Sequence, residues 1–384
     1  MIFVAGSILI LYCIFIAWIL ISWFYLKGHE EENADLLGTS VNMLATVLVP
    51  VRNEEVGIYT TIHSILNNKI SNTGYEIIVI DDHSTDQTVL LVEELCRKHD
   101  QVKLISLPNG VGGKKSAIEM GVHEAKGELI LCTDGDCEVP KNWVNNYLET
   151  YNGRGENIFL FGPVKYKSNG RMVHDFLNIE LSVLVVIGGA TMANGIPTML
   201  NGANLSYRKE AFTKVGGYQG NREIPSGDDE FLLRKMDSKF PNGVRFLKNP
   251  DAIVLTDAPK SLRELVSQRR RWAAKWKHHT GFFSSFIPLL IFMANTCAIV
   301  AMACVLLGYY RTECLGFLGM KALFDFTIMK VSTRFLRVNY GLFYWALLEI
   351  IYPFYVVFFG IASNFGKYSW KGREYETNLA TDQN

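Results

Sequence analysis

The sequence predicts an α/β domain with a mainly parallel sheet, placed between apolar helices at the two ends of the chain. Three observations predict this organisation. Short apolar runs alternate with amphipathic stretches over residues 43–260, which is the pattern of strands joined by crossover helices. An uncharged run of 25 residues, 2–26, precedes this region. Two further apolar runs of 29 residues, 282–310 and 338–366, follow it.

The composition excludes several classes of protein. The chain has 38 basic and 38 acidic residues and a formal net charge of zero, whereas a general nucleic-acid binder needs excess positive charge to neutralise phosphates. With 49% hydrophobic residues, it is too apolar for a disordered chain. The seven cysteines do not form a disulfide framework, and Cys132 and Cys137 lack a nearby second pair of metal ligands, which disfavours a zinc site.

The N-terminal apolar run predicts a transmembrane anchor at residues 1–27. Its length is sufficient to cross a hydrocarbon core of about 30 Å. A cleaved signal peptide is the alternative, but the apolar stretch is too long, no basic segment precedes it, and no small-residue cleavage site follows it. The acidic residues 30–32 are interpreted as a solvated linker.

The C-terminal region 281–366 is predicted to be a membrane region with spans at about 284–308 and 341–363, followed by a polar tail at 367–384. Residues 314–330 are apolar but short, and carry Lys321 and Asp325 four residues apart, where the two side chains can pair on one helical face. This segment is either a short buried span or an interfacial helix. Glu349 is interpreted as a functional residue or as a helix-packing hydrogen-bond partner.

The orientation follows from a basic cluster directly before the second span. Under the positive-inside rule such a cluster stays in the cytoplasm, so the central domain is predicted to face the cytoplasm from the cell membrane. If residues 314–330 span the membrane, the C-terminus lies outside; otherwise it lies inside. The cluster consists of Arg269, Arg270, Arg271, Lys275 and Lys277.

Within the central region, strands are predicted at 44–49, 76–80, 102–107 and 128–132, and helices at 58–66, 88–99 and 114–125. Pro50 is expected to end the first strand. In parallel sheets of this kind, ligands bind beyond the carboxyl ends of the strands. The chain lacks both a Gly-x-Gly-x-x-Gly segment after the first strand and a P-loop, which disfavours nicotinamide-dinucleotide and P-loop sites.

Acidic pairs follow two of these strands. Asp81 and Asp82 follow the second strand, and Asp134 and Asp136 flank a glycine after the fourth. Carboxylates in this arrangement suit a hard cation such as Mg²⁺, which is often held by one or two carboxylates together with substrate phosphates. The nearby residues Ser84 and Asp86 are instead expected to cap and stabilise a turn.

Two more segments have two interpretations each, and a third has one. The glycines before Lys114 open a helix that suits a phosphate, or form a flexible turn. The acidic segment 226–230 is either a charge cluster at a helix N-terminus or the source of a general base for an alcohol. The basic and aromatic stretch that begins at residue 268 is expected to supply interfacial anchors at Arg269, Arg270, Lys275 and Trp276.

Taken in order, residues 43–280 resemble a membrane-bound family 2 glycosyltransferase with the GT-A fold, related to the polysaccharide synthases. Residues 49–54 resemble the nucleotide loop of that family, 81–84 its Asp-Asp-x-Ser motif, and 134–136 its Asp-x-Asp motif. Residues 201–204 resemble its acceptor-side segment, and 268–272 match Gln-x-x-Arg-Trp in full. Lys114 begins a segment in which Ile118 and Glu119 replace the usual Leu and Asn, and Asp228 stands where the family has Glu.

The resemblance implies a cytoplasmic GT-A glycosyltransferase domain at 41–280 and a role for each matched residue. Asp229 is the implied catalytic base, and Asp136 is the implied ligand of a divalent metal, Mg²⁺ or Mn²⁺. The implied nucleotide-sugar ligands are Pro50, Arg52, Glu54, Asp82, Lys114, Asp134 and Arg271. The implied acceptor or product contacts are Gly202, Asn204, Asp228, Gln268 and Trp272.

The resemblance also implies the reaction. A hexosyl or N-acetylhexosaminyl group passes from a nucleotide-diphospho-sugar, with UDP favoured, to a hydroxyl of a glycan or lipid-linked glycan acceptor, with inversion to a β-linkage. Three alternatives remain: a polyprenyl-phosphate sugar transferase, whose family generally lacks Gln-x-x-Arg-Trp; a processive synthase, which usually has more spans; and a non-catalytic membrane scaffold, which would be marked by loss of a metal or base carboxylate. The expected partners include membrane lipids and exclude nucleic acid.

Overall fold

The computed structural model describes residues 2–28, 43–70, 74–153, 156–168, 170, 172–222, 227–276, 282–362, 367–370 and 373–376. The chain divides into two compact units. The globular unit comprises residues 24–167 and 187–257, and the helical unit comprises residues 1–23, 168–186 and 258–384. The acidic segment 30–32 and residues 377–384 of the polar tail lie outside the described residues.

Helices and strands alternate along the first half of the chain, and helices predominate towards its C-terminal end. The first part contains α1 (Ile2–Tyr25), β1 (Ala45–Val51), α2 (Ile58–Leu66), β2 (Tyr75–Asp81), α3 (Thr88–Lys98), β3 (Val102–Ser106), α4 (Lys114–Glu124), β4 (Leu129–Cys132), α5 (Trp143–Gly153), β5 (Phe159–Phe161) and β6 (Val164–Tyr166). The second part contains α6 (Met172–Met192), β7 (Leu205–Arg208), α7 (Lys209–Lys214), α8 (Asp228–Lys239), β8 (Val244–Phe246), a 3₁₀ turn (Pro250–Ala252), β9 (Val254–Thr256), α9 (Leu262–Trp276), α10 (Phe282–Leu307), α11 (Arg311–Phe335), α12 (Leu342–Ala362), β10 (Lys367–Trp370) and β11 (Arg373–Glu376).

A mainly parallel sheet forms the centre of the globular unit. Within the described residues its strand order is β3-β2-β1-β4-β7-β5-β8. The first four of these strands are parallel, whereas β7 runs antiparallel to both of its neighbours. Every residue of β1 and β4 is buried, as expected for parallel strands covered on both faces. The predicted α/β fold class is confirmed.

The predicted strands and helices of the first half of the sheet are present with ends displaced by at most two residues. The expectation that Pro50 ends the first strand is wrong, because β1 continues to Val51. Beyond Leu48, which aligns with Cys132 at the end of β4, β1 pairs only with β2. Pro50 has no N–H to donate, but its nitrogen points to the side on which β4 has already ended, so no ladder bond is lost.

Helix α4 approaches the sheet closely because it contains Gly121. A Cβ atom at this position would lie 2.9 Å from Leu48 Cδ2 and 3.0 Å from Ile80 Cδ1. A larger side chain at this position would require the Leu48 and Ile80 side chains to move. The glycine therefore fixes the depth of α4 on the sheet, and with it the position of Lys114 at the start of the helix.

In the helical unit, α1 lies alongside α11 and runs in the same direction. Ala5 and Leu9 pack against the cluster that contains Phe317. The Tyr12 hydroxyl donates to Asp325 Oδ1 at 2.5 Å, and Trp23 contacts Phe335 with ring centroids 4.8 Å apart. The segment predicted as 314–330 is the middle of a 25-residue helix.

Charged side chains inside the helical unit are paired. Lys321 Nζ lies 2.5 Å from Asp325 Oδ2, which confirms the predicted pair, and 3.9 Å from Glu349 Oε2 on α12. Burying a charge is costly unless it is paired. This ionic cluster connects α1, α11 and α12.

Four helices among the described residues are long and apolar enough to cross a membrane: Phe3–Tyr25, Met172–Met192, Ser285–Leu307 and Leu342–Ala362. Three of them coincide with the predicted spans. The fourth, α6, was not predicted as a span, and 67% of its most apolar window is buried. Packing within the protein therefore also accounts for the apolar sequence of this helix.

Candidate active site

The ends of β1 and β2 form the first wall of the site. Asp81 and Asp82 are both 5% exposed. Asp81 accepts the N–H of Ser84 at 3.1 Å and so closes the turn after β2. Asp82 Oδ2 accepts the N–H of Gly113 at 3.0 Å, which joins this turn to the loop before α4. Gly113 has a φ of +97°, a conformation that favours glycine.

The predicted nucleotide loop is tied to the same turn. Arg52 Nη1 donates to the carbonyl of Asp82 at 2.6 Å, and the N–H of Glu54 donates to Thr88 Oγ1 at 2.7 Å. Asp86 accepts the N–H of Thr88 and the N–H of Glu55, so its expected role in stabilising a turn is confirmed. Arg52, Glu54 and Asp82 therefore belong to one hydrogen-bonded loop system at the carboxyl ends of the parallel strands.

The Asp-x-Asp loop after β4 is held through its backbone carbonyls. The carbonyl of Asp134 accepts the N–H of Cys137 at 3.3 Å, that of Gly135 accepts Thr61 Oγ1 at 2.9 Å, and that of Asp136 accepts Lys167 Nζ at 3.0 Å. Lys167 was not predicted as a site residue. Its only signal in the sequence is a basic side chain at the end of an apolar strand, which is common on protein surfaces.

The side chains of this loop suit a hard divalent cation. One ligand atom from each of Asp134, Asp136 and Cys137 lies within 4.8 Å of the others. Burial, and then the charge of Asp136, raise the pKa of the Cys137 thiol well above its usual value, which disfavours its thiolate beside these carboxylates. The available donors are carboxylate oxygens, which Mg²⁺ and Mn²⁺ prefer. Asp136 fits the metal-ligand role that the sequence predicted.

Lys114 connects the Asp-x-Asp loop to the acidic segment at the start of α8. Its Nζ lies 2.7 Å from Asp134 Oδ1 and 3.3 Å from Asp228 Oδ2. Burial alone would lower the pKa of Lys114, but the charges of Asp134 and Asp228 outweigh burial and raise it well above its usual value. The ammonium group is therefore charged at any physiological pH.

Asp229 lies beside this ion-pair cluster and is 7% exposed. Its Oδ2 accepts the N–H of Gly202 at 3.0 Å, and its Oδ1 accepts the N–H of Glu230 at 2.9 Å. A Cβ at Gly202 would lie 3.1 Å from Lys114 Nζ and 3.3 Å from Asp229 Cβ. The glycine thus lets the 201–204 segment approach both charged groups.

Five predicted residues form one cluster of direct contacts at the sheet edge where β4 ends and β7 begins: Lys114, Asp134, Gly202, Asp228 and Asp229. Asp136 belongs to the same loop as Asp134. Three carboxylates around one ammonium leave the cluster with net negative charge. Such a site suits a divalent cation together with a phosphate-bearing ligand.

Asn204, predicted to contact the acceptor, is fully buried, and its amide is used within the protein. Its Oδ1 accepts the indole N–H of Trp143 and the hydroxyl of Tyr147, both at 2.8 Å. Its Nδ2 donates to the carbonyls of Pro163 and Ala252 at 2.8 and 2.9 Å. These bonds use both hydrogens and both lone pairs of the amide. These contacts indicate a structural residue that joins α5, the residue before β6 and the 3₁₀ turn.

The Gln-x-x-Arg-Trp residues Gln268, Arg271 and Trp272 lie on α9, in the helical unit.

The expectation that Arg269 is an interfacial anchor is wrong. Arg269 is 7% exposed and pairs with Glu180 on α6. A membrane anchor extends its charge into water or head groups, whereas this one is neutralised by a buried carboxylate on another helix.

Comparison with known proteins assigns the domain. The sequence model described as "Glycosyl transferase family 2" matches residues 46–216, which contain the nucleotide loop, the Asp-x-Asp loop and Gly202. The chain carries a glycosyl transferase family 2 domain. The matched part of this family 2 domain ends before the acidic segment of α8 and before α9.

Two relatives illustrate the similarity in sequence. "Probable glycosyltransferase YdaM" of Bacillus subtilis (strain 168) is 29% identical over 234 residues, covering 59% of this chain and 54% of that protein. "Beta-monoglucosyldiacylglycerol synthase" of Nostoc sp. (strain PCC 7120 / SAG 25.82 / UTEX 2576) is 33% identical over 233 residues, covering 59% of this chain and 48% of that protein. The chain thus spans about half the length of these two relatives.

A solved structure shows the fold of the family 2 domain. The mannosyltransferase PcManGT from Pyrobaculum calidifontis, in complex with GDP-Man and Mn²⁺, superposes with a TM-score of 0.56 over 90% of this chain and 96% of that chain, at 18% sequence identity. The predicted GT-A fold, with its mostly parallel sheet, is confirmed.

Replacing Asn204 in the family 2 domain is expected to destabilise it strongly. Asn204→Ala removes the acceptor of the Trp143 and Tyr147 donors and the amide that donates to the carbonyls of Pro163 and Ala252. The Pro163 carbonyl keeps the N–H of Val254, but the loss of four buried hydrogen bonds should lower the free energy of unfolding by more than about 3 kcal/mol. Thermal unfolding of the detergent-purified protein measures this effect. Asn201→Ala, at the start of the same segment, is the matched control, and an equal shift in Tm for both variants would contradict the structural role of Asn204.

Proposed function

We propose that this protein is a membrane-bound, metal-dependent, inverting glycosyltransferase that moves a sugar from a nucleotide-diphospho-sugar to a hydroxyl group. The observation that carries the proposal is the cluster in which Lys114 bridges Asp134 of the Asp-x-Asp loop and Asp228 next to Asp229. It combines a candidate metal site, a phosphate-binding cation and a candidate base at one edge of a GT-A sheet.

Asp229 acts as the general base. Its carboxylate is held by two backbone N–H groups, from Gly202 and Glu230, so its orientation is fixed before an acceptor arrives. It takes the proton of the acceptor hydroxyl as that oxygen attacks the anomeric carbon, and the bond to the nucleoside diphosphate breaks. A single in-line displacement on an α-linked donor gives a β-linked product.

The diphosphate is bound by Lys114, Asp134 and Asp136. A Mg²⁺ or Mn²⁺ held by Asp136 offsets the negative charge that develops on the leaving nucleoside diphosphate. The Lys114 ammonium is already held at the site by two carboxylates and can contact a phosphate oxygen without large rearrangement. Asp82, at the end of β2, belongs to the proposed nucleotide-binding loop, and UDP is the favoured nucleotide.

A lipid or lipid-linked glycan is the proposed acceptor, and the cytoplasmic face of the membrane is the proposed location. Helices α1, α10 and α12 are long and apolar enough to span a bilayer, and basic residues precede α10 as the positive-inside rule requires on the cytoplasmic side. The name of the Nostoc relative describes a glucosyldiacylglycerol synthase. Diacylglycerol is therefore the first acceptor to try.

The experiment that tests the proposal is nucleoside diphosphate release by detergent-purified protein from a panel of UDP- and GDP-sugars, with Mn²⁺ or with EDTA. Slow hydrolysis of the donor needs no acceptor, so ignorance of the acceptor does not block the assay. EDTA-sensitive release from one sugar supports the proposal and names the donor. Absence of both release and nucleotide binding across the panel would overturn it in favour of a non-catalytic scaffold.

A second candidate, a processive polysaccharide synthase, is favoured by the Gln-x-x-Arg-Trp residues on α9. The two candidate functions differ in product length. Incubation with the donor and vesicles of dioleoylglycerol in phosphatidylcholine should yield a lipid carrying one sugar if transfer is single. A ladder of products, or a long polymer formed without added lipid, would favour the processive synthase.

Removing Lys114 is expected to weaken donor binding. Lys114→Met deletes a charge-assisted contact with the diphosphate worth about 1.5–3 kcal/mol, which corresponds to about a 10- to 100-fold increase in the Kd for UDP. Isothermal titration of UDP in the presence of Mn²⁺ measures the change. Lys126→Met, a lysine in the turn after α4, is the control, and an unchanged Kd in Lys114→Met would remove Lys114 from the donor site.

The raised pKa of Lys114 also predicts a pH dependence. A lysine whose pKa is higher in the folded state stabilises that state at every pH below its unfolded value, about 10.4. This contribution is lost only as the pH rises towards and through the folded pKa. UDP affinity should therefore show no loss attributable to Lys114 between about pH 7 and pH 10, and a Lys114-dependent decline near pH 8 would contradict the ion-pair assignment.

A further inference from the structure

The two-stranded sheet β6–β9 of the globular unit borders the loop that carries Asp136. A β-bridge joins Glu138, directly after this loop, to Leu255 of β9. The N–H of Glu138 donates to the carbonyl of Leu255 at 2.8 Å, and the N–H of Leu255 donates to the carbonyl of Glu138 at 2.9 Å. The end of the Asp-x-Asp loop is therefore hydrogen-bonded to a strand of this sheet.

An ion pair lies at the end of the same two strands. Tyr166 of β6 pairs with Thr256 of β9 in parallel register. The residues that follow, Lys167 and Asp257, are therefore neighbours at one edge of the sheet. Lys167 Nζ lies 2.9 Å from Asp257 Oδ1 and donates to the carbonyl of Asp136 at 3.0 Å. A single ammonium group thus connects the carboxylate after β9 to the backbone of the proposed metal ligand.

Stability of the fold alone does not account for this pair. The side chains of Lys167 and Asp257 are 31% and 34% exposed, and ion pairs with this much solvent contact contribute little to stability. Charge accounts for it better, because an ammonium group next to a divalent cation would repel that cation. The carboxylate of Asp257 offsets the charge of Lys167, so the lysine can hold the loop without adding net positive charge beside the metal site.

We infer that Lys167 and Asp257 are positioning residues that set the affinity of the Asp-x-Asp loop for its divalent cation. Lys167 holds the backbone of Asp136, and Asp257 orients and neutralises Lys167. The inference rests on the proposed function and deepens it by naming two residues outside the family motifs on which metal binding depends. Groups that orient a metal ligand in this way contribute about 10- to 100-fold to metal affinity.

The test measures Mn²⁺ affinity by electron paramagnetic resonance, with UDP present, on the full-length protein in detergent. Lys167→Met is expected to raise the Kd for Mn²⁺ by about 10-fold, because the Asp136 backbone loses its donor. Asp257→Asn is expected to raise this Kd as well, because the ammonium group is then neither oriented nor neutralised. Lys167→Arg keeps a charged donor and should bind Mn²⁺ more tightly than Lys167→Met.

The sign of the effect separates positioning from simple electrostatics. If Lys167 acted only through its charge, Lys167→Met would remove a repulsive cation and lower the Kd for Mn²⁺. An unchanged or lowered Kd in this variant would therefore overturn the inference.

The double variant shows whether Asp257 acts through Lys167. Two residues in one chain of contacts have effects that are not additive. The variant that combines Lys167→Met with Asp257→Asn should therefore bind Mn²⁺ about as weakly as Lys167→Met alone. A Kd raised by the product of the two single effects would overturn the shared role.

UDP affinity in EDTA separates a role at the metal from damage to the fold. It should be the same in the parent protein and in the Lys167 and Asp257 variants, because no metal is bound under these conditions. Equal losses of UDP affinity with Mn²⁺ and with EDTA would indicate general damage and overturn the positioning role. The control is Lys103→Met on β3, a lysine that is also ion-paired and is 40% exposed, which should bind Mn²⁺ as the parent protein does.

Nucleoside diphosphate release in the same preparations separates this inference from the proposed function. If the parent protein releases no nucleotide from any sugar while the variants lose Mn²⁺ affinity as expected, the proposed function fails and the inference stands. If release is EDTA-sensitive and the variants bind Mn²⁺ as the parent does, the inference fails and the proposed function stands. Absence of Mn²⁺ binding by the parent protein would overturn the inference whatever the release assay shows.

Discussion

Asp229→Asn is expected to reduce sugar transfer by about 10³-fold while leaving the affinities for UDP and Mn²⁺ within about 2-fold of the parent values. The carboxylate accepts the N–H of Gly202 on one oxygen and the N–H of Glu230 on the other. The single oxygen of asparagine can still accept one of these two N–H groups, so the side chain keeps one of its two backbone contacts. What is lost is a carboxylate able to take the acceptor's proton. Transfer rates are measured with saturating donor, and affinities by calorimetry.

The matched control is Asp237→Asn, the same change two turns further along α8, on a partly exposed residue. That variant should transfer sugar at the parent rate. Turnover in Asp229→Asn within about 10-fold of the parent would remove Asp229 from the base role. Equal losses of UDP affinity and turnover would instead assign it to donor binding, since removal of a group that acts only in the transition state lowers kcat without weakening the ground-state complex.

Asp136→Ala is expected to abolish Mn²⁺-dependent release of nucleoside diphosphate. A bound divalent cation contributes several kcal/mol to stabilising a leaving diphosphate, which corresponds to about 10²- to 10³-fold in rate. The loop should keep its shape, because Thr61 and Lys167 hold it through the carbonyls of Gly135 and Asp136 rather than through the deleted carboxylate. Electron paramagnetic resonance of Mn²⁺ in the presence of UDP measures metal binding independently of turnover.

Asp100→Ala, on an exposed turn before β3, serves as the control and should bind Mn²⁺ as the parent protein does. Full Mn²⁺ affinity in Asp136→Ala would contradict the assignment of Asp136 as the metal ligand. Asp134 would then be the candidate ligand. Asp134 is already paired with Lys114 at 2.7 Å. Its loss should therefore disturb the whole ion-pair cluster, whereas loss of Asp136 should affect the metal more than the cluster.

The elements of the first half of the sheet were predictable because each carries a local signal. Strands such as β1 and β4 are continuous apolar runs, and the crossover helices have apolar faces at helical spacing. Acidic residues directly after such runs indicate a ligand site, because parallel strands end at one edge of a sheet. The predicted end of β1 was wrong. Whether the strand can continue through Pro50 depends on where the neighbouring strand β4 ends.

The individual residues of the candidate site were predictable, but the contacts between them were not. The motif resemblance singled out Lys114, Asp134, Asp228 and Asp229, yet nothing in the sequence indicates that one lysine joins two carboxylates from distant segments of the chain. Lys167 was missed for the same reason, since its bond to the Asp136 carbonyl depends on the place of β6 beside the loop. Asn204 matched an acceptor motif. Its structural role is indicated only by the hydrogen bonds that its side chain makes within the folded protein.

The motif resemblance indicated the family of the domain. The sequence by itself determined the fold class, the apolar helices at both ends and the identity of the charged residues at the strand ends. These features depend on composition, periodicity and order along the chain, all of which are local. Tertiary structure alone decided which charges meet: Lys114 with Asp134 and Asp228, Lys321 with Glu349, and Arg269 with Glu180. A buried charge is stable only beside its partner, and these partners lie on different elements that only the folded chain brings together.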